Sequence, residues 1–200
     1  MITKREAKRE ALRIALLEAA KERVANNGLA QLRARDIAKE AGCALGALYN
    51  VYESLDDLIL HINSATLAQL NAKLGQAAAN AETPKEKLVA LSRQYMAFAI
   101  DNYYLWSALF DHKMPENASL PQWHLDELAV LFAHVVEPLA DLNPHLKDAE
   151  LHTSARTLFA AVHGIVFISL RDGAVIVPRE ILDAQLTEFI HTHVNGMAGQ

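Results

Sequence analysis

Glu40 to Leu58 reads EAGCALGALYNVYESLDDL. Its opening closes one short helix: Ala41 is the last inward apolar position, and Gly42 can take the left-handed conformation that ends a helix at little steric cost. A second short helix follows from Ala44 or Leu45 to about Val51, and the partner upstream runs from about Arg33 to Ala41 with Ile37 and Ala38 inward. Ser54 with Asp57 three residues on has capping-box spacing and starts a further, long helix. Two short helices on a glycine turn, held by Ile37, Ala38 and Leu48, form a helix-turn-helix outline. From Ala41 to Leu58 the stretch carries three acids and no Lys or Arg. Any basic partner face must come from elsewhere.

The basic residues lie upstream. Residues 1 to 60 carry ten Lys and Arg against nine acids, residues 61 to 200 carry nine against fifteen, and the first thirteen carry five against two. This asymmetry directs an anionic partner to the N-terminal quarter and leaves an acidic body behind it. A chain of 200 residues rich in Ala, Leu and Ile, with eight Gly and six Pro, favours an all-α fold with a sizeable core. The single cysteine, Cys43, makes no internal disulfide and is read as a small buried thiol; with no four-ligand zinc spacing, a cytoplasmic protein is expected. The most apolar run, Phe159 to Leu170, is interrupted by His163, Gly164 and Ser169 and falls short of the ~20 residues of a membrane span. No membrane segment and no signal peptide are expected.

Caps divide the rest. Thr3 and Glu6 open a helix whose Leu12, Leu16, Leu17, Ala20 and Val24 form one stripe, closed at Asn26-Asn27-Gly28. The helix opened by Ser54 carries Leu55, Leu58, Ile59, Ile62, Leu70 and Leu74 on one side. Thr83, Pro84 and Glu86 start another that runs to about Ile100. Helices are expected over 103–113, 122–139, 148–170 and 178–194, about nine in all. The domain expectation is a helix-turn-helix unit over 1–53 and a larger helical body over 54–200.

Arg35-Asp36-Ile37-Ala38, Ala41-Gly42, Gly46, Leu48-Tyr49, Tyr52, Ser54 and Leu58, preceded by Ala19-Ala20 and Gly28, agree in order and spacing with one pattern. Over residues 12 to 60 they resemble the N-terminal helix-turn-helix of the TetR/AcrR family of transcriptional regulators. Val162-His163-Gly164 is similar to the signature of a subclass with a Trp-His-Gly-like triplet. The resemblance implies a DNA-binding domain followed by a helical ligand-binding and dimerisation domain. It implies a homodimeric repressor on a near-palindromic double-stranded DNA operator, released by a small-molecule effector. No catalytic residue, metal or cofactor is expected.

The exposed face of the second short helix would then be Ala44, Leu45, Ala47, Tyr49 and Asn50, entering a major groove about 12 Å wide. Asn50 can bond a base bidentately, Leu45 and Ala47 suit thymine methyls, and Tyr49 can donate to phosphate. Where relatives carry Ser, Lys and Lys, this chain has Ala44, Leu45 and Leu55. Phosphate contact therefore passes to Arg33, Arg35, Tyr49, Tyr52 and the arm residues Lys4, Arg5, Lys8 and Arg9.

In the larger body, LFAAVHGIVFISL at 158–170 is apolar around most of its circumference, so a second surface must cover it. The resemblance implies that the last two helices pair with twofold mates, through Phe159, Val162, His163, Gly164, Val166, Phe167, Leu182, Leu186, Phe189 and Ile190. It also implies a pocket in helices five to seven with the end of helix four, where Tyr95, Phe98, Tyr103, Trp106, Phe110, His112, Trp123 and Phe132 suit a mainly apolar cavity with a few polar orienters. A competing expectation is a helical ligand-binding or adaptor protein without DNA binding. The missing Ser and Lys favour it; Gly42, Gly46, Leu48 and Tyr49 oppose it. No nucleophile, base and orienter in recognisable spacing, phosphate loop or metal motif points to an enzyme.

Overall fold

A computed structural model describes residues 3–116, 119–171 and 177–198. Among them the regular elements are nine α-helices and one 3-10 turn, with no strand. The fold is all-α. Parts of the expected connections at 114–121 and 171–177 lie outside the described residues.

α1 (Lys4–Asn27) begins with the expected box: Thr3 Oγ1 accepts from Glu6 N at 3.2 Å, and Glu6 Oε2 accepts from Thr3 N at 2.7 Å. Leu16, Ala20 and Val24, four apart, are its buried positions. It stops at Gly28, whose φ of 75° and ψ of 168° belong to backbone that only glycine adopts readily. A Cβ there would also stand 3.1 Å from Tyr104 Cδ1. A 3-10 turn, Leu29–Gln31, leads to α2 (Ala34–Glu40). Gly42 at φ 68° turns the chain, with Cys43 N donating to Ala38 O at 2.9 Å, and α3 (Leu45–Tyr49) follows. Ile37, Ala38 and Leu48 are all buried, as a wedge between these helices requires.

α4 (Leu55–Ala79) starts on Ser54, whose Oγ accepts from Asp57 N at 3.0 Å; Asp57 answers by accepting from Glu53 N, one residue outside the box geometry. α5 (Pro84–Asp101) opens on a complete box in which Thr83 and Glu86 exchange bonds at 3.0 and 3.2 Å. α6 (Tyr103–Asp111), α7 (Gln122–Leu142), α8 (Asp148–Leu170) and α9 (Arg179–Ala198) complete the order. α7 outruns its expected end at Leu139 and carries Pro138 inside it. Leu139 is fully buried, and Asn143 closes the last turn by donating N and Nδ2 to the Leu139 carbonyl at 3.0 and 3.1 Å. Burial of that turn outweighs the lost proline N–H.

The chain packs as two compact units: Met1–Leu67 with Asn102–His124, and Ala68–Asp101 with Leu125–Gln200. These boundaries differ from a cut at 53/54. The first unit reaches past that cut because the buried stripe of α1 and the helix-turn-helix are completed by Leu58, Ile59 and Ile62 of α4 and by Leu105 and Ala108 of α6. Each buried Leu or Ile contributes roughly 1.5–3 kcal/mol relative to exposure. In the second unit α5 packs on α9 and α8, and α8 on α9. α8 is long and apolar enough to cross a membrane by length and composition. Core helices pass the same test; the apolar positions of α8 continue back from the run 159–170 through Ala155 and Leu151. In the second unit α8 buries Leu151, Ala155, Leu158, Val162 and Val166 on one face.

Candidate functional site

Lys4, Arg5, Lys8 and Arg9 occupy the first turns of α1 and are all exposed. The Arg9 guanidinium donates to the Asn50 carbonyl at 3.5 Å, which ties the basic arm to the end of α3. Next along α1, Arg13 is held by Glu10 at 2.8 Å, and that hydrogen bond raises its pKa further. Arg23 pairs with Asp36 and Glu40 of α2 at 3.5 and 3.0 Å, fixing α2 on α1.

On α3 the exposed residues are Tyr49, which shows about half its surface, Asn50 at the C-cap and Ala44 at the N-cap; Leu45 and Ala47 are half-buried. Gly46 belongs to the same face, and a Cβ on it would meet no atom within 4 Å. The sequence signal for it was its place in the motif, without a reason for a bare backbone. Arg35 is exposed at the start of α2. Arg33 is exposed too, but its Nη1 donates to the Ala30 and Leu32 carbonyls at 2.9 and 3.0 Å, so part of its donor set fastens the 3-10 turn.

Tyr52 corrects the sequence expectation. Its side chain is buried, at 1 % exposure, and its hydroxyl donates to the Arg13 carbonyl at 3.0 Å. Burial pushes the phenol above the ordinary tyrosine range, so it remains a donor. An aromatic two residues after the short helix points back across the core, against α1, and not out to a phosphate.

The second unit holds an apolar cavity of about 50 Å³. Its walls are Leu74 from α4; Leu88, Leu91, Ser92 and Tyr95 from α5; Leu131, Phe132 and Val135 from α7; Leu158, Phe159 and Val162 from α8; and Ile190 from α9. Phe159 packs edge-on to both Tyr95 and Phe132, with ring centroids 5.8 and 5.1 Å apart. The Tyr95 hydroxyl lies 2.8 Å from His163 Nδ1, and burial lowers the His163 pKa, leaving the imidazole neutral.

Of the expected pocket aromatics, only Tyr95 and Phe132 line this cavity. Phe98 is buried in the same unit but off its wall. Tyr103, Trp106, Phe110, His112 and Trp123 fall in the first unit, where α6 packs against α1. There Trp106 is fully buried, His112 Nε2 pairs with Asp56 Oδ1 at 2.9 Å, and Trp123 stacks on His61 at 5.2 Å. Tyr103 borders a surface hollow beside Gly28 with Tyr104, and Phe110 is exposed. The residues that sequence reasoning missed, chiefly Leu74, Leu88, Leu91 and Leu131, are aliphatic and carry no distinguishing signal.

The expected dimer residues also divide. Val162, Val166, Leu182, Leu186 and Ile190 are buried in the chain's own core, so they present no surface to a second copy. Phe159 and Val162 line the cavity, and His163 serves Tyr95. Phe167 and Phe189 are half-buried, and Gly164 has open space where a Cβ would stand. The outer face of α8 carries Thr153, Thr157, Ala160, Gly164 and Ile168, the last more than half exposed.

Residues 88–192 match the Tetracyclin repressor-like, C-terminal domain family. No curated protein sequence is significantly similar to the chain. Among solved structures, a protein of unknown function from Rhodococcus sp. RHA1 is 22% identical, with a TM-score of 0.73 over 92% of this chain and 94% of that one. The transcriptional regulator FadR from Bacillus subtilis, in complex with stearoyl-CoA, is 18% identical, with a TM-score of 0.71 over 88% and 96%. A TetR-family transcriptional regulator from Bordetella parapertussis 12822 is 15% identical, with a TM-score of 0.65 over 89% and 93%.

Proposed function

Since this chain belongs to the TetR family of transcriptional regulators, we propose that it is a cytoplasmic, homodimeric repressor that grips a near-palindromic DNA operator and lets go when a small molecule fills the cavity of its second unit. The observation that carries this is the basic arm joined through Arg9 to Asn50 at the end of an otherwise uncharged helix. Charge and shape then come from adjoining surfaces. Lys4, Arg5, Lys8, Arg9 and Arg35 meet phosphates, while Tyr49, Asn50, Ala44 and the edges of Leu45 and Ala47 meet the groove. Gly46 supports the same reading, since the bare backbone lets a phosphate chain approach closely. Arg33 contributes by holding the turn, and Tyr52 by fixing α3 against α1.

The twofold contact would use the outer face of α8, with Ala160, Gly164, Ile168 and Phe167, and Phe189 of α9. Ala160 and Ile168 on this surface are exposed, and Gly164 admits a helix at short range. Two recognition helices then stand about one duplex turn apart. An effector shifts the population only by its difference in affinity between the DNA-competent and the incompetent conformer.

Selection of bound duplexes from a random pool, followed by titration at several salt concentrations, tests this. Enrichment of a near-palindrome with salt-sensitive binding is expected. Recovery of no preferred sequence at low ionic strength overturns it.

A further inference from the structure

The cavity's chemistry restricts what can fill it. No Lys, Arg, Asp or Glu stands among its walls, and the polar lining side chains are already engaged within the protein. Ser92 Oγ donates to the Val89 carbonyl at 2.8 Å, and the Tyr95 hydroxyl is paired with His163. The remaining wall is aliphatic or aromatic. An ionised ligand would enter with no countercharge and would shed its hydration unrepaid, a cost that grows steeply in an apolar site. A neutral imidazole at His163 offers a carboxylate no countercharge either. At roughly 10–15 Å³ of such space per water, the cavity's 50 Å³ corresponds to about four waters, near the bulk of one six-membered ring.

We infer that the effector of this cavity is a small uncharged apolar molecule, of the size of a monocyclic arene or short alkyl chain, and that the site rejects ionised analogues of the same shape. This rests on the proposal that the cavity is the effector site. Because the walls come from α4, α5, α7, α8 and α9, an occupant touches every helix of the second unit. Selectivity here is by exclusion of charge rather than by a hydrogen-bond code.

The experiment is a calorimetric and thermal-shift titration of the full chain with toluene, benzyl alcohol, benzoate and benzylammonium, which share a ring and differ in charge. Toluene and benzyl alcohol are expected to bind and raise the melting temperature. The two ions are expected to bind at least about a hundredfold more weakly than benzyl alcohol. Val135→Phe and, independently, Leu158→Phe fill the cavity and should abolish toluene binding; the charge series on the unaltered chain decides the matter if either variant misfolds. Binding of benzoate or benzylammonium within tenfold of benzyl alcohol, binding by none of the four, or toluene affinity untouched by both folded fillings overturns the inference. Duplex binding measured on the same preparation separates the two readings: DNA bound without any probe bound removes the ligand class alone, whereas probe binding without DNA binding removes the repressor.

Discussion

Replacing Tyr52 with Phe separates a structural tyrosine from a phosphate contact. The ring is enclosed and stays so in the variant; only the hydroxyl's bond to the Arg13 carbonyl, 3.0 Å long, is removed. That carbonyl lies inside α1 and keeps its helical partner, so no buried acceptor is orphaned. The cost should therefore sit near the ordinary net value of one hydrogen bond, about 1 kcal/mol. In a chain of 200 residues that is a fall in melting temperature of roughly 2–4 °C. Tyr52→Ala would add a cavity and cost about 3–5 kcal/mol. The assay pairs thermal and denaturant unfolding with anisotropy titration of a fluorescent duplex well below the melting temperature. Tyr52→Phe should lower stability and leave duplex affinity within about twofold of the parent. A variant of unchanged stability that lost tenfold in affinity would restore Tyr52 to the DNA and refute the argument.

Replacing Lys4, Arg5, Lys8 and Arg9 together with Gln should weaken binding to all duplexes and flatten the salt dependence by up to ~0.9 for each phosphate left unneutralised, whereas Asn50→Ala should change the preferred sequence; an unaltered slope in the first variant would contradict the assignment of the arm. Gly28→Ala should cost about 1–3 kcal/mol from its backbone conformation, and still cost that much in a Tyr104→Ala background, because removing the ring 3.1 Å away relieves the clash but not the φ of 75°. His163 titrates below its usual 6.5 through burial, so the unfolded chain binds its proton first. Its share of stability is complete above that value and is lost as pH falls toward the folded pKa; unfolding curves should show a shallower acid loss for His163→Gln than for the parent.

Much of the local structure was legible because it is governed by neighbours in the chain. Thr3 and Glu6, Ser54 and Asp57, and Thr83 with Pro84 and Glu86 start their helices where the caps predicted, since an N-cap bond spans only three residues. Gly28 and Gly42 stop helices because of their own backbone freedom. Helix α7 runs past its expected end at Leu139 because the burial of Leu139 carries the last turn on.

What the sequence determined by itself was the all-helical character, the helix-turn-helix and the placing of basic charge at the N-terminus, all of which follow from short-range spacing and composition. Only the tertiary structure decided which aromatics meet. Trp106 and Tyr95 are alike in type and close in the chain, yet α6 completes the core under α1 while α5 walls the cavity with α7, α8 and α9. Tyr52 and Tyr49 likewise differ by three residues, and one is buried while the other is exposed. Helical periodicity says which residues share a face. It does not say what that face packs against, because that depends on the packing of segments far apart in the chain, which is settled by burial of the whole unit.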